Sequence, residues 1–146
     1  DKEKLAIWRN NFKGLEYFDE KSGIALMGAI DHLLSARNFL TIVDFKTRGS
    51  KPKEETSLYY KQRLEVYNFL LMMNGYCVSD FSFLIFYYPE KINENGEFIF
   101  KSEVVKVPTT PVNGERLFLK AVKILQGDIP RPNPNCGFCN WRKLTK

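Results

Sequence analysis

Two aspartates and a lysine are the residues of this chain whose types and spacing carry chemistry. Asp31 closes the stretch Gly28-Ala29-Ile30-Asp31, and Asp44 and Lys46 sit in Val43-Asp44-Phe45-Lys46-Thr47. Carboxylate oxygens suit Mg²⁺ or Mn²⁺, hard ions held by one or two carboxylates, waters and substrate phosphate oxygens. The carbonyl of Phe45 is a further oxygen within reach of the same ion. A lysine two residues beyond Asp44 points to the same side of a strand. Its ammonium can orient a water or neutralise charge developing on a phosphate. With a lowered pKa it would act instead as a general base, a shift that the neighbouring carboxylates oppose.

Those three side chains need two strands to position them. Ile24 to Leu34 and Phe39 to Thr47, rich in Ile, Leu, Val and Phe, both read as β-strands, with Ser35 to Asn38 as the turn between them. A four-residue antiparallel loop sets Leu34 against Phe39, which makes Asp31 and Asp44 diagonal cross-strand neighbours, roughly 7 Å apart at the backbone. Side chains alternate with a period of two, so Asp31, Asp44 and Lys46 then share a face. An odd loop would separate them. Asp31 and Asp44 stand inside strongly apolar runs, where an unpaired carboxylate is costly, and this favours a metal site over two solvated acids.

Taken in order, Gly28-Ala29-Ile30-Asp31, Val43-Asp44-Phe45-Lys46-Thr47 and Gln62 on a following helix resemble the PD-(D/E)XK nuclease superfamily. The nearer likeness is to its RecB-like branch, whose members carry Gly-x-x-Asp, (Asp/Glu)-x-Lys and Gln-x-x-x-Tyr in this order. The resemblance covers about residues 14 to 75. It implies an α/β fold with a restriction-endonuclease-like core, a central mixed β-sheet flanked by helices. It also implies a metal-dependent exonuclease or other nuclease acting on DNA, with Asp31, Asp44 and the Phe45 carbonyl on Mg²⁺ or Mn²⁺. Lys46 would then be catalytic, and Gln62 would touch the substrate backbone or a catalytic water. The family tyrosine four residues beyond the glutamine is Val66 here, and Tyr59, three residues before Gln62, is expected on its face instead. Tyr67, about 140° around the helix from Gln62, reads as core.

The branch usually adds an acidic or histidine ligand on a helix before the first strand. Nothing from Asp1 to Phe12 matches it; because the chain opens on Asp1, an upstream segment carrying that ligand is expected. Glu16, on the neighbouring strand, is a candidate substitute for that ligand, but a surface strand residue is the favoured reading. His32, the only histidine, points to the opposite sheet face from Asp31 and reads as packed.

The net charge of +5 favours a polyanionic partner only modestly, because 22 basic residues are interspersed with 17 acidic ones. The local pattern says more. Lys46, Arg48, Lys51, Lys53, Lys61 and Arg63 follow the metal strand, where phosphates would lie, and Arg48, Lys51, Tyr59 and Arg63 are the expected DNA contacts. A solvated loop and helix face is the competing reading of the same charges. The 44% hydrophobic content suffices for one core, and no apolar run is long enough to span a membrane, so a cytoplasmic location is expected. The DNA-cleaving reading competes with a nuclease-like module that binds nucleic acid without cutting it, and with an enzyme acting on RNA.

Around this centre the chain predicts a helical end over Lys2 to Asn11, a strand from Gly14 to Phe18 completing a three-strand meander, and a helix from Leu58 to Asn74 capped by Ser57. Strands over Val78 to Tyr88 and Glu97 to Val107 and a helix from Asn113 to Gln126 follow. The nuclease-like domain is expected over residues 1–128 and a Pro- and Cys-containing tail over 129–146. In that tail Cys136-Gly137-Phe138-Cys139 is half of a Zn²⁺ or iron-sulfur site. RecB-like enzymes that clasp their chain ends with cysteines resemble this pair, which would need ligands from elsewhere. A local disulfide and free thiols are the alternatives.

Overall fold

A computed structural model describes residues 2–144; Asp1 and the last two residues of the expected tail, Thr145 and Lys146, lie outside the described residues. The elements are α1 (Lys2–Trp8), β1 (Leu15–Asp19), β2 (Ile24–Gly28), β3 (His32–Ala36), β4 (Phe39–Thr47), α2 (Thr56–Met73), β5 (Phe81–Ile92), β6 (Phe98–Pro108), α3 (Pro111–Gln126) and α4 (Gly137–Leu144). The sheet of order β3-β4-β5-β6 is mixed. β4 and β5 run parallel, with α2 as their crossover, while the outer pairs are antiparallel. This is the expected α/β architecture, a mixed central sheet flanked by helices.

The expected meander is not continuous. β2 pairs only with β1, in a separate two-stranded sheet, and the chain leaves strand geometry at Ala29–Asp31 before β3 begins. Two contacts explain the break. Gly28 passes so close to α2 that an added Cβ would lie 2.8 Å from the Tyr67 ring, and the Ile30 amide donates to the Trp8 carbonyl at 3.0 Å. Ile30 is fully buried there, so it anchors the turn between the two sheets. Trp8 is held in turn by an edge-to-face contact with Tyr76, which ties α1 to the end of α2.

The core lies between the inner sheet face and α2. Ile42, Leu84 and Phe86 from the central strands meet Leu64, Leu70 and Leu71 of the helix, all fully buried. A smaller cluster of Phe69, Phe118 and Val122 joins α2 to α3 and receives Tyr17 edge-on from β1. The two helices approach closely at Gly114, beside which Asn113 donates to the buried Glu65 carboxylate at 2.8 Å.

Behind them lies a buried polar knot. Thr109 Oγ1 accepts from Asn68 Nδ2 at 2.8 Å and shares a hydrogen bond with Ser82 Oγ at 3.0 Å. Asn68 and Ser82 are fully buried, so neither can exchange its partner for water. Thr109→Val keeps the shape and strands both groups. It is expected to cost about 2 kcal/mol in urea unfolding, the desolvation penalty of polar groups left unpaired.

Among the described residues no helix is long and apolar enough to cross a membrane.

Candidate active site

The β3–β4 hairpin builds the site. Its loop is the two-residue Arg37-Asn38, with φ of 49° and 69°, so that Ala36 faces Phe39. Such a turn matches the right-handed twist of the strands that it joins. The four-residue loop read from the sequence is therefore two residues too long, and Leu34 faces Thr41 in place of Phe39. A shift of two preserves which face each side chain takes. The ladder ends at His32↔Val43, so Asp31 stands just outside it and the diagonal pairing expected with Asp44 is not part of the sheet.

Asp44 is 3% exposed, whereas Asp31 lies at the solvent edge, where its Oδ2 accepts the Phe45 amide at 3.0 Å. The Lys46 ammonium pairs with Asp44 Oδ2 and donates to the Phe45 carbonyl at 3.1 Å. Among the described residues no other hydrogen-bond partner reaches that buried Oδ2. Burial pushes the Asp44 carboxyl above its ordinary range, the hydrogen bond and charge of Lys46 pull it down, and the charge of Asp31 raises it again. The two acids are thus close enough to feel each other.

The oxygen set of two carboxylates and a carbonyl fits Mg²⁺ or Mn²⁺ in donor type. The Lys46 ammonium is already seated on two of those oxygens, so a cation's place at Asp44 and Phe45 is marked by a positive charge. Among the described residues no group of three or more His, Cys, Asp and Glu side chains could hold a metal.

Helix α2 supplies the other wall, with Tyr60, Arg63 and Tyr67. Lys46 and Arg63 lie 5.3 and 5.5 Å from the Tyr60 ring centre. Burial pushes the Tyr67 hydroxyl up; the Arg63 guanidinium opposes that shift, and the charges of Asp44 and Asp31 add to it. Arg63, Tyr67 and both acids therefore form one electrostatic group.

Gln62 and Tyr59 are not part of it. Gln62 lies about 160° around the helix from Tyr60; it is exposed, and Tyr59 is 84% exposed. Tyr67 packs against the core as expected; what sequence reasoning missed is that Tyr67 and Arg63, the latter expected only as a DNA contact, are electrostatic neighbours of the carboxylates. A signal existed. Arg63 and Tyr67 have the Gln-x-x-x-Tyr spacing with arginine at the first position, one residue after the glutamine that drew attention.

Arg48 continues from β4, its amide donating to the Tyr87 carbonyl at 2.8 Å, and its Nε is buried with no partner among the described residues. Lys51 and Lys53 border a cavity of about 590 Å³ with Ser57, Phe86 and Glu103, and Phe86 is the direct cross-strand neighbour of Lys46. His32 lies on the outer sheet face, 6.5 Å from the Phe45 ring, away from the acids. Glu16 is exposed on β1. Cys136 and Cys139 carry free thiols, and the Cys139 amide donates to Cys136 Sγ at 3.4 Å. That contact lowers the Cys136 pKa, while Cys139 is raised.

A model of the PD-(D/E)XK nuclease superfamily matches residues 3–144. Among solved structures, that of a protein called SSO0001 is similar with a TM-score of 0.51 at 15% identity, over 88% of this chain. The likeness is one of fold, and this chain spans 55% of that protein's length. Among curated proteins none matches.

Proposed function

The chain belongs to the PD-(D/E)XK nuclease superfamily, and from that premise we propose that it is a Mg²⁺- or Mn²⁺-dependent deoxyribonuclease of the RecB-like kind. Members of the superfamily are usually hydrolytic nucleases and generally use divalent ions. One observation carries the reading: a buried carboxylate, Asp44, is paired with Lys46 on one strand and lies close enough to Asp31 to feel its charge. Burying a carboxylate is costly even when it is paired, and a fold that retains one beside a second acid has a use for it.

A bound divalent ion supplies polarisation of the scissile phosphate and a more acidic water. The chain's own groups do the rest. Asp31, Asp44 and the Phe45 carbonyl provide the oxygens, and Lys46 swings from Asp44 to meet the charge developing on the phosphate. Arg63 and the basic residues Arg48 and Lys51 hold flanking phosphates. Tyr67 braces Arg63 against the sheet.

The test uses linear and circular DNA with Mg²⁺ or Mn²⁺. Cleavage that stops with chelator and is absent in Lys46→Ala is expected. A specific observation favours a second reading, a module that binds without cutting: the ammonium of Lys46 fills the oxygen pair and no third acid joins it among the described residues. Salt-dependent DNA binding with no cleavage in either metal selects that reading.

A further inference from the structure

β6 closes one side of the sheet and, among the described residues, has a strand partner only in β5. It is 11 residues long, and Phe98, Phe100 and Val104 are 62%, 55% and 60% exposed. A long edge strand with apolar side chains presents a free row of backbone donors and acceptors, an arrangement that proteins otherwise blunt or cover. α3 does not cover it, since its packing is against α2 and the β1–β2 side.

We propose that β6 is the interface for a second copy of this chain, the two strands pairing antiparallel about a two-fold axis at Ser102. The charge pattern selects that register. With Ser102 opposite itself, Lys101 faces the partner copy's Glu103 and Glu103 its Lys101, while Phe100 meets Val104 and Ile99 meets Val105. Moving the axis by one residue either way sets Lys101 against Lys101 or Glu103 against Glu103. Opposite charges and aromatic–β-branched pairs across strands stabilise, and like charges do the reverse.

Both charged side chains reach across to β5 in the single copy. Lys101 Nζ donates to Glu90 at 3.0 Å, and Tyr88 OH donates to Glu103 at 3.4 Å. The exposed Glu90 contact is of a kind worth little alone, and Lys101 can share its three protons with a second carboxylate. In this register Phe100 and Val104 extend the outer apolar face, already lined by Leu34, Phe45 and Ile85, across the junction. The proposal is independent of nuclease activity.

The test is sedimentation of the intact chain and two charge reversals. The native chain is expected to self-associate, and Lys101→Glu and Glu103→Lys are each expected to weaken association by about tenfold or more. An equimolar mixture of the two variants should form a heterodimer, because each strand then carries the charges that the other lacks. That recovery needs both variants folded, so it separates a lost interface from a lost fold. In a background with Cys77, Cys136 and Cys139 replaced by serine, Ser102→Cys should cross-link copy to copy on mild oxidation, and Val104→Cys should not. A native chain that stays monomeric, a mixture that does not associate, or equal cross-linking at both positions overturns the proposal.

Discussion

Asp44→Asn is expected to lower DNA cleavage by about a thousandfold or more, because on the proposed reading it removes a charge that would hold the ion and several kcal/mol of transition-state stabilisation with it. The substitution keeps volume and planarity, so the packing of β4 against α2 has no reason to change. Two effects on stability oppose each other. The buried carboxyl is held above its ordinary pKa by desolvation, so its ionised form costs stability at neutral pH, and that cost disappears in the amide. Lys46 loses its partner but keeps the Phe45 carbonyl and a path to water, its side chain being 15% exposed. The two effects offset, so the net loss of stability should stay below the roughly 3–5 kcal/mol that breaking a fully buried pair costs. Gel assays on linear duplex in Mg²⁺ and Mn²⁺, beside circular dichroism of the same samples, read both quantities. Cleavage retained within tenfold of the parent would remove Asp44 from the chemistry.

Gly114→Ala should be the most damaging single-methyl change in the fold. The added Cβ would stand 2.1 Å from the Glu65 carbonyl oxygen and 2.7 Å from the Phe69 Cβ, and a backbone atom cannot turn aside as a flexible side chain can. Alanine is the better helix former by about 1 kcal/mol, which works in the variant's favour. Overpacking costs about 1–3 kcal/mol and more where backbone must shift, so the clash wins by about 2 kcal/mol. That corresponds to a fall in melting temperature of roughly 4–8 °C for a chain of this size. The Asn113–Glu65 hydrogen bond and the Phe69–Phe118 stack should loosen with the helices. A variant as stable as the parent would mean that α2 and α3 are not in the contact described.

Much of this arrangement is legible in the amino acids, and the parts that are not have physical reasons. The apolar runs around Asp31 and Asp44 mark strands because a buried strand has little choice of composition, and β4 ends at Thr47 as expected. Loop length is harder. Arg37 takes a left-handed conformation that arginine seldom adopts, so nothing in Ser35-Ala36-Arg37-Asn38 announces a two-residue turn. The break at Ala29–Asp31 depends on Tyr67 and Trp8, contacts remote in sequence. The same remoteness hid the closeness of Arg63 to the acids, since only the docking of α2 decides which helix face meets them. Helix α4, in the prolyl tail, follows Pro134 at a point where composition suggests irregular chain.

The order of strand pairing sets how the site assembles in time. β1–β2, β3–β4 and β5–β6 each join strands that are neighbours in the chain, whereas β4–β5 must wait for the whole of α2 to cross over. Closing a short loop costs less entropy than closing a long one, and isolated hairpins form in about 1–10 μs. Asp31, Asp44 and Lys46 therefore meet by local closure, while Arg63 and Tyr67 join them only when the crossover docks. The contacts among Asp31, Asp44 and Lys46 are thus local in sequence, those to Arg63 and Tyr67 depend on the crossover, and the step that unites them is the step that completes the sheet.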